Sequence, residues 1–179
     1  DTDFGTSYGA YRPAGDDRYY WRIAHMMFPF HAMIPTGPLG EQAKIGMYVP
    51  SDDENTMHWE IFSRGLPGGN RNGGGGPLAT YLPANSGWFG RFNIEQNMAN
   101  DYQIDRAAQR GWKSYTGIAG IRQQDMAVTE SMGAIYNRTR EHLGSTDALI
   151  IRTRKRMINA ARALQDHGVI PPGVDQPEI

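Results

Sequence analysis

The sequence contains no cysteine. Within these 179 residues that absence excludes disulfides, thiolate nucleophiles, zinc sites of the cysteine type and cysteine-held iron–sulfur clusters. A dominant charge is also lacking: 18 Lys and Arg stand against 19 Asp and Glu, leaving a net charge of -1. With no overall basic field to gather phosphates, a nucleic-acid partner is not expected. No run approaches eighteen apolar residues, and the opening DTDFGTSYGAYRPAG has neither a basic nor an apolar leader region. These absences predict a soluble, cytoplasmic protein without a membrane span. There is no GxSxG pattern either, so a serine nucleophile with a paired base is not indicated.

What is present is a 39% hydrophobic content, enough for one domain with a core. The first third predicts antiparallel strands at 6–12 (TSYGAYR), within the aromatic and aliphatic run 18–34, at 42–49 (QAKIGMYV) and at 56–63 (TMHWEIFS). In the last of these, Met57, Trp59 and Ile61 alternate with polar neighbours. Pro29 interrupts the second run and marks an edge or a bulge. PTGPLG (35–40) and PSDDEN (50–55) supply turns, so Asp52, Asp53 and Glu54 read as solvated. The stretch 65–87 is dominated by Gly, Pro and Asn and reads as a flexible surface loop; its four glycines at 73–76 lack the Lys and Ser or Thr of a phosphate loop.

Helices are predicted at 101–111, across 121–133, and from Ser145 or Thr146 as cap to Gly168 as stop, with prolines at 171 and 172 beyond. Ile150, Met157, Ala161 and Leu164 give the last helix its expected buried stripe, and Arg152, Arg154, Lys155, Arg156 and Arg162 a basic face that is solvated or docks an acidic redox partner. Strands followed by helices indicate an α+β domain in which a long C-terminal helix covers an antiparallel sheet.

The stretch IRQQDMAVTESMG (121–133) places Asp125, Val128, Thr129 and Met132 at i, i+3, i+4 and i+7, on one helical face with three members suited to a core. A carboxylate there must be capped, paired or bound. Asp125 reads as a helix N-cap, as a solvated position, or as a metal ligand. His25 and His31, six apart on a strand, would with Asp125 give the residue types of a two-histidine, one-carboxylate iron site, but Pro29 between them breaks the register argument and the set is not adopted.

The run GIAGIRQQDMAVTESMGAIYNRTREHLGSTDALIIRTRKRMINAARAL (117–164), with DTDFGTSYGAYRP, FPFHAMIP and NDYQIDRAAQ before it, closely resembles the C-terminal end of Rieske non-haem iron aromatic-ring-hydroxylating oxygenase large subunits of the phthalate-dioxygenase-like group. The resemblance implies a helix-grip-like catalytic domain, incomplete at its N-terminal side, with 1–179 as its C-terminal part and the Rieske domain absent. It implies mononuclear Fe(II) held by two histidines and the aspartate matching Asp125, with Gln124 and Glu130 in support behind it. Met26, Phe28, Phe30, Met33 and Trp59 are candidates to line an aromatic pocket, although core packing is the plainer role of each. The implied partners are a small aromatic substrate, dioxygen, a reductase or ferredoxin, and further copies of the chain in a homotrimer. The family's D-x2-H-x4-H pattern and the C-x-H and C-x2-H pairs of its Rieske cluster are absent, so this chain alone is expected to be inactive. The rival reading is a non-catalytic helix-grip module binding an apolar ligand; a structural subunit is a third.

Overall fold

The computed structural model describes residues 1–35, 43–62 and 79–176. Much of the glycine-rich stretch 65–87 and of the 35–40 turn lies outside the described residues. The chain divides into two compact units, one of residues 1–66 and 137–179, the other of residues 67–136.

In the first unit the runs read as strands become five: β1 (Gly5–Pro13), β2 (Tyr19–Met27), β3 (His31–Ile34), β4 (Lys44–Pro50) and β5 (Thr56–Phe62). They form one antiparallel sheet in sequence order, as a meander requires when each connection is short. Pro29 neither bulges a strand nor lies on an edge. It falls in the turn between β2 and β3, where its missing N–H costs no ladder bond. The turn at 50–55 forms as expected: the Asp52 carboxylate accepts from the backbone N–H groups of Glu54 (2.9 Å) and Asn55 (2.7 Å), and these bonds hold it below the usual carboxylate range.

Register assigns the sheet its two faces, because residues directly opposite project to the same side. Thr6, Met26, Ala32, Gly46 and Glu60 lie across one face. Ser7, His25, Met33, Ile45 and Ile61 lie across the other, as do Met27, His31, Met47 and Trp59. Lys44 and Glu60 pair at 2.7 Å on the first face, both largely buried. Beside them Tyr48 stacks on His58.

The long C-terminal helix forms as predicted, over Ala148–His167, and Gly168 ends it in the left-handed conformation (φ 67°) that a residue without Cβ adopts freely. Its start and its packing differ from expectation. Ser145–Asp147 form a 3-10 turn, and the Asp147 carboxylate reaches back to the Gly144 N–H (2.8 Å) instead of Ser145 or Thr146 capping the helix. Ile150, Met157, Ala161 and Leu164 are exposed. The more buried line runs through Leu149, Thr153, Arg156, Ala160 and Ala163. The physical reason is Arg156: its guanidinium donates to the carbonyls of Thr2 and Gly5 and lies 5.3 Å over the Phe28 ring, so a cationic side chain with an apolar stem docks the helix on β1. Arg152 pairs with Asp1 (2.7 Å) and Arg154 with Glu141 (2.5 Å), so much of the basic face serves intramolecular contacts.

In the second unit the helix read at 101–111 is only half formed. A short 3-10 segment, Met98–Gln103, precedes α1 (Arg106–Arg110), whose N-cap Asp105 accepts from the Ala108 N–H at 2.8 Å. Asp105 stops the helix from extending backward, since a capping side chain competes with helical continuation. Then follows α2 (Ile121–Glu130), and the C-terminal helix of the first unit is α3. The core of this second unit gathers Ile94, Tyr102, Ile118 and the fully buried Gln123.

Candidate functional site

α2 begins at Ile121 because Gly120 makes a turn that other residues resist: it stands at the N-cap position with φ 92° and ψ 134°. Asp125 therefore sits in mid-helix and is not the N-cap. Its face is not a core face either: Asp125 and Thr129 are exposed, Val128 is 64% exposed and Met132 46%. Of the bland readings, the solvated position is the one that holds. The buried side of α2 is turned the other way and centres on Gln123, 1% exposed. The Asp125 carboxylate has no hydrogen-bond or ion-pair partner among the described residues.

Its neighbours on the helix are, by contrast, engaged. Gln124 donates from Nε2 to the Ile118 carbonyl at 3.0 Å. Glu130 accepts from the Tyr102 hydroxyl at 2.7 Å. Tyr102 is 6% exposed, and its hydroxyl is pushed up to about 12, first by burial and then by its hydrogen bond to Glu130 and the nearby carboxylate charges. Its backbone is unusual as well: Asp101, Tyr102 and Gln103 have φ values of 50°, 53° and 52°, three consecutive left-handed residues without a glycine. Each such residue costs about 1–2 kcal/mol relative to the right-handed conformation.

The surrounding bonds hold that turn. Asn97 and Asn100 cap one another's backbone, Asp101 pairs with Arg106 at 3.2 Å, and Gln103 donates to Glu95 at 3.0 Å. Sequence reasoning missed Tyr102. The only signal was an aromatic residue inside the polar run NDYQID, where no periodicity singles it out.

The five pocket candidates belong to the first unit and do not share one surface. Met26 lies on the sheet face that α3 approaches, where Met26 and Phe28 border a small space with Thr153, Arg156 and Met157. Phe30 packs on the His31 ring at 4.9 Å. Met33 and Trp59 lie on the opposite face. His25 and His31 do share a face, because the β2–β3 hairpin sets His25 opposite Met33 and His31 opposite Met27. Each has a local partner: His25 Nδ1 bonds the Ser7 hydroxyl (2.6 Å), and His31 Nδ1 faces the Phe28 carbonyl (3.3 Å). Among the described residues no three His, Asp or Glu side chains converge as a metal-binding group, and no helix is long and apolar enough to cross a membrane.

Comparison with known proteins places these features in a family. Residues 1–178 match the family described as LigXa C-terminal domain like. The chain is 38% identical over 186 aligned positions to the oxygenase subunit of 3-chlorobenzoate-3,4-dioxygenase from Comamonas testosteroni, covering 98% of this chain and 43% of that protein. It is 36% identical over 70 positions to the phthalate 4,5-dioxygenase oxygenase subunit of Pseudomonas putida, covering 39% of this chain and 16% of that one. The chain thus spans less than half the length of these relatives. With its antiparallel sheet, its long final helix and a match running through nearly every residue, the chain belongs to the LigXa C-terminal-domain-like family, whose relatives named here are oxygenase subunits of aromatic dioxygenases.

Proposed function

We propose that this chain forms part of the catalytic domain of an aromatic-ring-hydroxylating oxygenase. The whole protein would be a dioxygenase or monooxygenase acting on a small aromatic compound with dioxygen, using mononuclear non-haem Fe(II) and electrons from a Rieske 2Fe-2S cluster served by a reductase or ferredoxin. A cytoplasmic homotrimer is the proposed assembly. The observation that carries the reading is Asp125, a mid-helix carboxylate that no described residue pairs, inside a segment covered by the likeness to the chlorobenzoate dioxygenase subunit.

An unpaired carboxylate is a hard oxygen donor suited to Fe(II) in a two-histidine, one-carboxylate set, so Asp125 fits as one ligand, the histidines coming from outside the described residues. Bound there, iron would supply the redox chemistry that dioxygen activation needs. The Rieske cluster does not fit these residues, which include no cysteine, and belongs to another part of the protein.

The chain's own residues have separate tasks. Asp125 would offer its charge to the metal, and Val128, exposed one turn along on the same side of α2, puts an apolar surface beside it that suits a ring. Gln124 and Glu130, bonded to Ile118 and Tyr102, hold the helix behind it. Within the first unit, Met26 and Phe28 are engaged beneath Arg156 and Phe30 against His31, and Met33 and Trp59 lie on the sheet face away from the docked side of α3.

The test uses the full-length protein and its Asp125→Ala variant, comparing mononuclear iron content and oxygen uptake with 3-chlorobenzoate and phthalate as probes. Loss of both, with the spectrum of the Rieske cluster intact, is expected. Unchanged iron and uptake in the variant would remove Asp125 from the metal site.

A further inference from the structure

α2 carries two carboxylates that do different things. Asp125 is exposed and unpaired, and Glu130, five residues on, is half-buried and bonded to Tyr102. At about 100° per residue the two project roughly 140° apart around the helix axis. The contact at Glu130 therefore acts on the side of α2 away from Asp125. The first turn of α2 has a directional hold of its own, since Gln124 donates from Nε2 to the Ile118 carbonyl at 3.0 Å, and Glu130 supplies one at the last turn. The half-buried Met126 and Ala127 between them make apolar contact, which is non-directional and resists rotation weakly. A hydrogen bond to a fixed donor is directional.

The donor is fixed. Tyr102 N–H bonds the Asn97 carbonyl at 2.9 Å, Ile104 N–H bonds the Asp101 carbonyl at 3.1 Å, and the left-handed run 101–103 is tied at its start by Asn97, Asn100 and Arg106 and at Gln103 by Glu95. No other element of the second unit puts a hydroxyl on Glu130 among the described residues. A strained turn that three non-glycine residues maintain is what a structure keeps where one side chain must arrive at a set place.

We propose that Tyr102 is a positioning residue: by hydrogen bonding to Glu130 it fixes the last turn of α2 and so, together with the Gln124–Ile118 bond at the first turn, sets the rotation of the helix about its axis and the direction in which Asp125 presents its carboxylate. The proposal rests on the reading of Asp125 as an iron ligand. The lever is long enough to matter. A carboxylate about 5–6 Å from the helix axis moves roughly 1.5 Å when the helix turns by about 15°, whereas a metal ligand tolerates only about 0.2 Å.

The experiment uses the full-length holoprotein with Tyr102→Phe, Glu130→Ala, Glu130→Gln and the double variant Tyr102→Phe/Glu130→Ala. Nitric oxide is the probe of the mononuclear iron, read by electron paramagnetic resonance; iron retained after dialysis against a chelator is the second readout, and the cluster signal checks folding. Tyr102→Phe and Glu130→Ala are expected to change the rhombicity of the nitrosyl signal alike and to lower retained iron at least about threefold, the double variant being no worse than the poorer single. Glu130→Gln keeps an acceptor oxygen for the tyrosine and is expected to retain the wild-type signal.

Wild-type signal and retention in both Tyr102→Phe and Glu130→Ala, even with a lower melting temperature, would make the pair merely structural and overturn the proposal. Glu130→Gln behaving like Glu130→Ala would overturn it too, by showing that charge and not the bond matters. Should Tyr102→Phe fail to fold, the two Glu130 variants decide by the same criteria. Failure of the underlying reading looks different: iron would then be unaffected by Asp125→Ala itself.

Discussion

Gly120→Ala tests the claim that one backbone position starts α2 and thereby places Asp125 in mid-helix. Gly120 has φ 92°, which an alanine resists. A Cβ there would meet Gln123 Cδ at 2.7 Å and Nε2 at 3.0 Å, with Oε1 closer still. Gln123 is 1% exposed, so its amide has no solvent into which to swing. The backbone strain costs about 1–3 kcal/mol, and overpacking the site against the buried Gln123 amide costs about 1–3 kcal/mol more. Against these stands a gain of roughly 0.4–1 kcal/mol from stiffening the unfolded chain.

The net is a destabilisation of about 3 kcal/mol, close to a hundredfold in the opening equilibrium of the segment. Hydrogen exchange followed by mass spectrometry reads it locally: amides of α2 should exchange about a hundredfold faster in the full-length variant, while those of β1 and β2 keep their rates. An acceleration below about threefold in α2 would mean that the helix can start without a left-handed residue, and the argument for the register of Asp125 would fall.

Two further results are expected. In an ultraviolet phenolate titration, one tyrosine should resist ionisation until pH approaches about 12, and Tyr102→Phe should remove that transition; its stabilising effect is full below pH 10 and is lost as pH rises through the folded value, so titration with the bulk tyrosines would refute the buried bond to Glu130. Glu141 is held below its ordinary value of 4.5, first by its hydrogen bond from Arg154, against a smaller opposing effect of burial. Its contribution is therefore full above pH 4.5 and lost as pH falls through the lowered folded value, so the melting-temperature gap between wild type and Arg154→Ala should close on acidification; a gap independent of pH would show that Arg154 acts through packing alone.

Local sequence determined the elements whose cause is local. Alternating and aromatic runs marked four strand regions, the second of which the structure divides at the Pro29 turn into β2 and β3, and Gly168 marked the end of α3, because pleat geometry and left-handed caps depend on neighbours in the chain. The family likeness of Asp125 was legible for the same reason, as a pattern in QQDMAVTESMG. What the tertiary structure decided is which side of each helix turns inward. Periodicity identifies an amphipathic helix, but it cannot foresee that Arg156, stacked on Phe28 and bonded to two carbonyls, outcompetes an aliphatic stripe for the docked side of α3. Nor could it foresee that Gln123 is buried while Val128 is not. Tyr102 shows the limit most plainly: its role depends on three left-handed residues and on a carboxylate 28 positions away, and a partner that distant becomes visible only when the chain has folded.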